Sequence, residues 1–86
     1  MGFTLENSID RVVVSLLKPP ALGYVRELRR SLDKDPEYLM FHAASVGLNI
    51  RRYLTEVGVH WDDDIFQREW QDVVRKAVIY LRTIEK

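Results

Sequence analysis

The sequence predicts an all-α fold, a compact bundle of about four helices with the third one central. Three observations carry the prediction. Apolar residues recur at steps of three and four through four successive segments. Proline, glycine and aspartate stand at the joins, where helices start and stop. The length, 86 residues, allows one core and therefore a single domain, 1–86.

The first helix is expected from about Leu5 to Leu17, with Thr4 as its cap and Leu5, Ile9, Val12, Val13 and Leu16 as its core stripe. The run Val12-Val13-Val14 is β-branched, but the flanking spacing favours helix and sends Val14 to the opposite face. Lys18-Pro19-Pro20 ends this element, because a residue before proline avoids the helical region.

Pro20 then opens a second helix, roughly Ala21 to Leu32, with Val25, Leu28 and Leu32 buried and Arg26, Arg29 and Arg30 outside. Gly23 weakens its first turn by about 1 kcal/mol relative to alanine. The short link Asp33-Lys34 makes the second and third helices neighbours.

The third helix is the best punctuated. Asp35 can cap its free amides, Pro36 suits its first turn, and Gly58 supplies a left-handed stop. Leu39, Ala43, Val46, Ile50, Leu54 and Val57 form its core stripe. Phe41 and Leu48 fall one heptad apart on another side, with Ala44 beside them. A helix with large apolar residues off its main stripe is central or covered by something else. The fourth helix, about Ile65 to Ile84, is capped by one of Asp62, Asp63 and Asp64. Phe66, Trp70, Val73, Val74, Ala77, Leu81 and Ile84 give it a broad apolar face, and Arg75, Lys76, Arg82 and Lys86 collect toward its end.

Composition narrows the function. Hydrophobic content of 47% and charged content of 30% argue against disorder. Thirteen basic and thirteen acidic residues cancel, so no long-range field draws the chain to nucleic acid or anionic membrane. The absence of cysteine removes disulfides, thiolate metal sites and a thiol nucleophile. No apolar run is long enough to span a bilayer, and Met1–Glu6 lacks the features of a signal peptide. A soluble, cytoplasmic protein is expected. Folding a domain of this size leaves only about 4–8 kcal/mol of stability, which a partner subunit would raise.

Side-chain constellations suggest little chemistry. His42, Ser45, Asn49, Arg52 and Glu56 share one face of the third helix. They form a solvated surface with an Arg52–Glu56 pair, or a recognition surface with His42 and Arg52 as donors. Ser45 and His42 lack an orienting carboxylate and an oxyanion loop, so no catalytic residue is assigned. Arg51, beside the main stripe, is expected to find Asp10, Glu27 or Asp72 on a neighbouring helix. His60 and Asp62–Asp64 resemble a metal site only in composition. The carboxylates are consecutive and no glycine follows, so a helix start explains them and neither metal nor cofactor is expected. Trp61 lies in the preceding loop, as a lid on the bundle or exposed.

Arg26, Arg29, Arg30 and Lys34 form the one basic cluster and the basis of an alternative function, nucleic-acid binding. The segment after them presents Asp35, Glu37 and Tyr38, which would meet phosphate with the wrong sign for a helix-turn-helix reader.

At Phe41-His42, Gly47, Ile50 and Arg51, with Thr4-Leu5-Glu6 upstream, the chain resembles a group of small all-helical bacterial domains of unknown function that share a His-x4-Gly-x2-Ile-Arg helix. The resemblance implies an all-helical domain and a role for Gly47 in the close approach of another helix. It brings no activity with it.

The leading expectation is a non-catalytic interaction module, a small regulator, inhibitor or adaptor that binds a protein partner. Its contact residues are Phe41, Leu48, His42, Asn49, Arg52 and Val14, and it self-associates as a symmetric dimer. Val14, Phe41, Leu48 and Ile79 are the apolar residues left over once the core is assigned.

Overall fold

The computed structural model describes residues 5–85, with side chains from Ile9 onward. Five helices and no strand occur among them: α1 Leu5–Leu16, α2 Leu22–Lys34, α3 Tyr38–Phe41, α4 Ala43–Glu56 and α5 Asp63–Ile84. The all-α class is as the sequence indicates. The expected Thr4 cap and the packing of the Leu5 side chain lie outside the described residues. None of the described helices is long and apolar enough to cross a membrane.

The valine run of α1 is helical, with Val12 and Val13 buried and Val14 about half exposed. Past Leu16, N–H groups of Leu17 and Lys18 bond the carbonyls of Val14 and Ser15 and wind the chain down. Helix α2 opens one residue past the expected start. The Lys18 carbonyl accepts from the N–H groups of both Ala21 and Leu22, so a turn closed by Lys18 starts the helix instead of Pro20. Val25 and Leu28 are buried as expected, and Leu32 is partly so.

The expected long third helix is two helices. At His42 the backbone leaves helical geometry (φ −118°, ψ 25°) and separates the four-residue α3 from α4. The His42 ring rests on Tyr38 with centroids 4.3 Å apart, and its carbonyl accepts from both the Ser45 hydroxyl and the Val46 N–H. Asp35 serves the turn ahead of α3, where Oδ1 accepts from the Glu37 N–H at 3.0 Å. The stop is as read. Gly58 has φ +89°, its N–H bonds the Thr55 carbonyl, and the Val59 N–H reaches back to Leu54 at 2.8 Å. That paired closure requires a left-handed residue.

Helix α5 begins two residues before the expected Ile65, because Asp62 caps it by accepting from the Ile65 N–H at 2.9 Å. Asp63 and Asp64 fill the first turn, where the helix dipole favours negative charge. This helix, not the third segment, is the hub: α1, α2 and α4 all pack on it. Its 22 residues run about 33 Å. Buried pairs Val73-Val74 and Ala77-Val78 widen its apolar arc enough to meet helices on more than one side. Val78 joins the core, whereas Ile84, expected inside, stands 69% exposed at the helix end.

The core consists of apolar side chains alone. Among the described residues no polar or charged side chain is buried.

Candidate interaction surface

Helices α3 and α4 turn Leu39, Val46, Ile50 and Leu54 inward. Across each helix from those residues lie Phe41, 68% exposed, and Leu48, 73% exposed, with Met40 and Ala44 also on the outside. The spacing that puts one set in the core turns the other to the opposite side of its helix. Beside Ala44 and Leu48 a cleft of about 230 Å³ opens between α4 and α5, floored by Gly47, Phe66 and Trp70. The indole and phenyl rings stack with centroids 6.1 Å apart. Gly47 of α4 faces the indole. A Cβ built there would sit 3.5 Å from the ring, an ordinary contact distance.

Arg51 borders the same cleft and overturns one expectation. Its carboxylate partner is Asp63 at 2.5 Å, not Asp10, Glu27 or Asp72. The short connection from Gly58 to Asp62 folds α5 back along α4 and brings its first turn to Arg51. The guanidinium also lies over the Phe66 ring, 5.2 Å from its centroid.

The remaining polar residues of α4 do not act together. The Asn49 amide donates to the Tyr24 hydroxyl at 3.2 Å, which ties α4 to α2, and the Tyr24 ring stacks on Tyr53. Burial raises the Tyr24 phenol above its ordinary value, an effect the bond from Asn49 opposes. His42 is exposed at the helix break. Ser45 donates to the carbonyl of His42 and not to its ring. Arg52 and Glu56, both exposed, form no ion pair with each other, contrary to expectation. Val14, on α1, is exposed, as are Ile79, Tyr80 and Ile84 on α5.

Asp62 and Asp63 have structural roles, as a cap and as the partner of Arg51. Trp61 is partly buried against the core and, with Val59 and His60, rims a smaller cleft beside Arg51. No group of metal-ligating side chains occurs among the described residues.

Two of the four residues of the basic cluster, Arg26 and Arg29, are engaged within the chain. Arg26 holds the Glu85 carboxylate through Nε at 2.9 Å and Nη2 at 2.5 Å. Arg29 approaches the other carboxylate oxygen at 3.7 Å and donates to the Glu85 carbonyl at 3.5 Å. The hydrogen bond from Arg26 holds the Glu85 carboxyl below its usual range and raises the guanidinium in turn. Arg82 pairs with Asp33 on the same side of the molecule. Arg30 borders this cleft, and Lys34 is exposed at the end of α2. Sequence reasoning missed Glu85 and Asp33 as counter-charges, because each is about fifty or more positions from its arginine.

No family model, curated protein or solved structure matches the chain.

Proposed function

We propose that this chain is a non-catalytic protein-interaction module that docks a partner on the outer face of α3 and α4. The observation that carries the reading is the exposure of Phe41 and Leu48, both roughly two-thirds or more in solvent, beside a core that other apolar side chains of the described residues fill. Apolar area left in water costs roughly 25 cal/mol per Å², and covering it is the ordinary driving force of association. Met40 enlarges the patch, and the cleft floored by Phe66 and Trp70 adds a recess of the kind an apolar anchor enters.

Nucleic-acid binding through Arg26, Arg29, Arg30 and Lys34 is the weaker reading, since Arg26 and Arg29 already share the Glu85 carboxylate, which offsets one of the four positive charges. A mobility-shift series at low and rising salt separates the two.

The test of the docking face is capture from cells of the source organism with the wild type and with Phe41→Glu. Both side chains of the patch are exposed, so the variant is expected to keep its helical content. A protein retained by the wild type and lost from the variant supports the reading. Identical captures by both chains overturn it.

A further inference from the structure

A cleft of about 310 Å³ between α2 and the end of α5 takes no part in the docking face, and Arg26, Arg29, Arg30, Asp33 and Glu85 line it. The three arginines stand at i, i+3 and i+4 of one helix, so they share one side of a single turn. Two of them already hold a carboxylate there. Arg26 donates to Oε2 of Glu85 through Nε at 2.9 Å and through Nη2, and Arg29 lies 3.7 Å from Oε1. Both guanidinium groups are therefore aimed at one anion with two oxygens. Arg30 lines the same cleft, is exposed, and has no ion-pair partner among the described residues. Asp33, the other carboxylate of the cleft, is paired with Arg82. Glu85 thus offsets one of three positive charges. It is also easily displaced: it lies past the last turn of α5 (φ −108°, ψ 64°), and an exposed ion pair such as its bond to Arg26 adds little stability.

We infer that Arg26, Arg29 and Arg30 form a receptor for a phosphate monoester, and that Glu85 occupies it in the ligand's place. A monoester carries a charge of about −1.5 to −2 near neutral pH and three acceptor oxygens. A carboxylate offers one charge and two oxygens, so the monoester exceeds Glu85 on both counts and gives Arg30 a partner. The planar guanidinium fork fits phosphate as it fits carboxylate. A phosphodiester carries only the single charge that Glu85 already supplies and gains nothing by the exchange. That difference separates this cleft from a track for nucleic acid, to which the chain, with no net charge, also lends no long-range attraction. The chemistry is the same whether the phosphate stands on a protein side chain or on a small molecule.

Calorimetric titration at neutral pH and fixed ionic strength tests this with inorganic phosphate, a short phosphoserine peptide and dimethyl phosphate. The wild type is expected to bind the first two saturably and to ignore the diester. Glu85→Gln should bind phosphate roughly two- to fivefold more tightly, since the competing carboxylate is gone. Arg30→Gln should weaken binding by about tenfold at an unchanged melting temperature, because Arg30 has no partner in the free protein. A purely structural Arg26–Glu85 pair would instead make Glu85→Gln less stable and leave phosphate binding alone. A peptide bound more tightly than inorganic phosphate supports the receptor and puts the group on a protein, whereas equal affinities support it and put the group on a small molecule. Absence of saturable phosphate binding by both wild type and Glu85→Gln overturns the inference. So does a Glu85→Gln affinity no higher than that of the wild type, or an Arg30→Gln affinity equal to it. Dimethyl phosphate bound as tightly as phosphate also overturns it, in favour of the nucleic-acid reading.

Discussion

Two glycines show how different the demands on one residue type are. Gly58 sits at φ +89° with nothing within 4 Å of an added Cβ, so its requirement is purely one of backbone. A side chain there would force an L-residue into the left-handed region at about 1 kcal/mol or somewhat more. Gly47 is the opposite case. It is helical and buried, and an added Cβ would touch the Trp70 ring at 3.5 Å without a clash. Glycine inside a helix costs about 1 kcal/mol relative to alanine. Urea unfolding should therefore show Gly58→Ala less stable by about 1 kcal/mol, and Gly47→Ala unchanged or more stable by up to about 1 kcal/mol. A marked loss from Gly47→Ala would mean that α4 and α5 pack more tightly than this spacing implies.

At the scale of elements, the tie between α2 and the end of α5 gives a pH dependence whose sign is settled. The hydrogen bond from Arg26 lowers the folded-state pKa of Glu85 below its reference value of 4.5. A carboxylate lowered on folding contributes stability that is complete above the unfolded-state pKa and is lost as pH falls through the folded-state value. The melting-temperature gap between wild type and Glu85→Gln should therefore be steady near neutrality and close as the solution is acidified below about pH 4.5. Because the pair is exposed, added salt should narrow the gap at neutral pH. A gap that widens on acidification contradicts the assignment. The same tie shows where reasoning from sequence stops. The stripes of α1, α4 and α5, the Gly58 stop and a cap from one of Asp62, Asp63 and Asp64 were legible because each depends on residues within about five positions. Glu85 meets Arg26 across 59 positions, and Arg51 meets Asp63 only because α5 folds back along α4, so neither partner could be read from spacing. The break at His42 was hidden for another reason. The apolar period runs straight through it, from Leu39 to Ala43 and Val46, and the ring contact and hydroxyl bond that accompany the break leave no mark on that period. The exposed apolar pair was legible in part: periodicity separated Phe41 and Leu48 from the core stripe, but Asn49, expected to serve beside them as a contact residue, has its amide occupied by Tyr24.

At the scale of the whole molecule, an 86-residue chain whose described interior is apolar carries a small stability margin, and the residues left outside that interior decide whether the margin depends on concentration. A chain that folds and pairs is stabilised by mass action, since the dimer exists only for the native state. Each tenfold rise in concentration then adds about 1.4 kcal/mol per dimer, or about 0.7 kcal/mol per protomer. For a domain of this size that corresponds to an upward shift of roughly 3–5 °C in melting temperature per decade, once most of the protein is dimeric. The expected result is a rising melting temperature for the wild type and a flat one for Phe41→Glu, whose folded protomer keeps its core because Phe41 lies outside it. Coincidence of the two chains at low concentration and divergence at high concentration would locate the added stability in the contact between copies. Parallel, flat lines for both chains would show that the exposed apolar face contributes nothing to the thermodynamics of this fold.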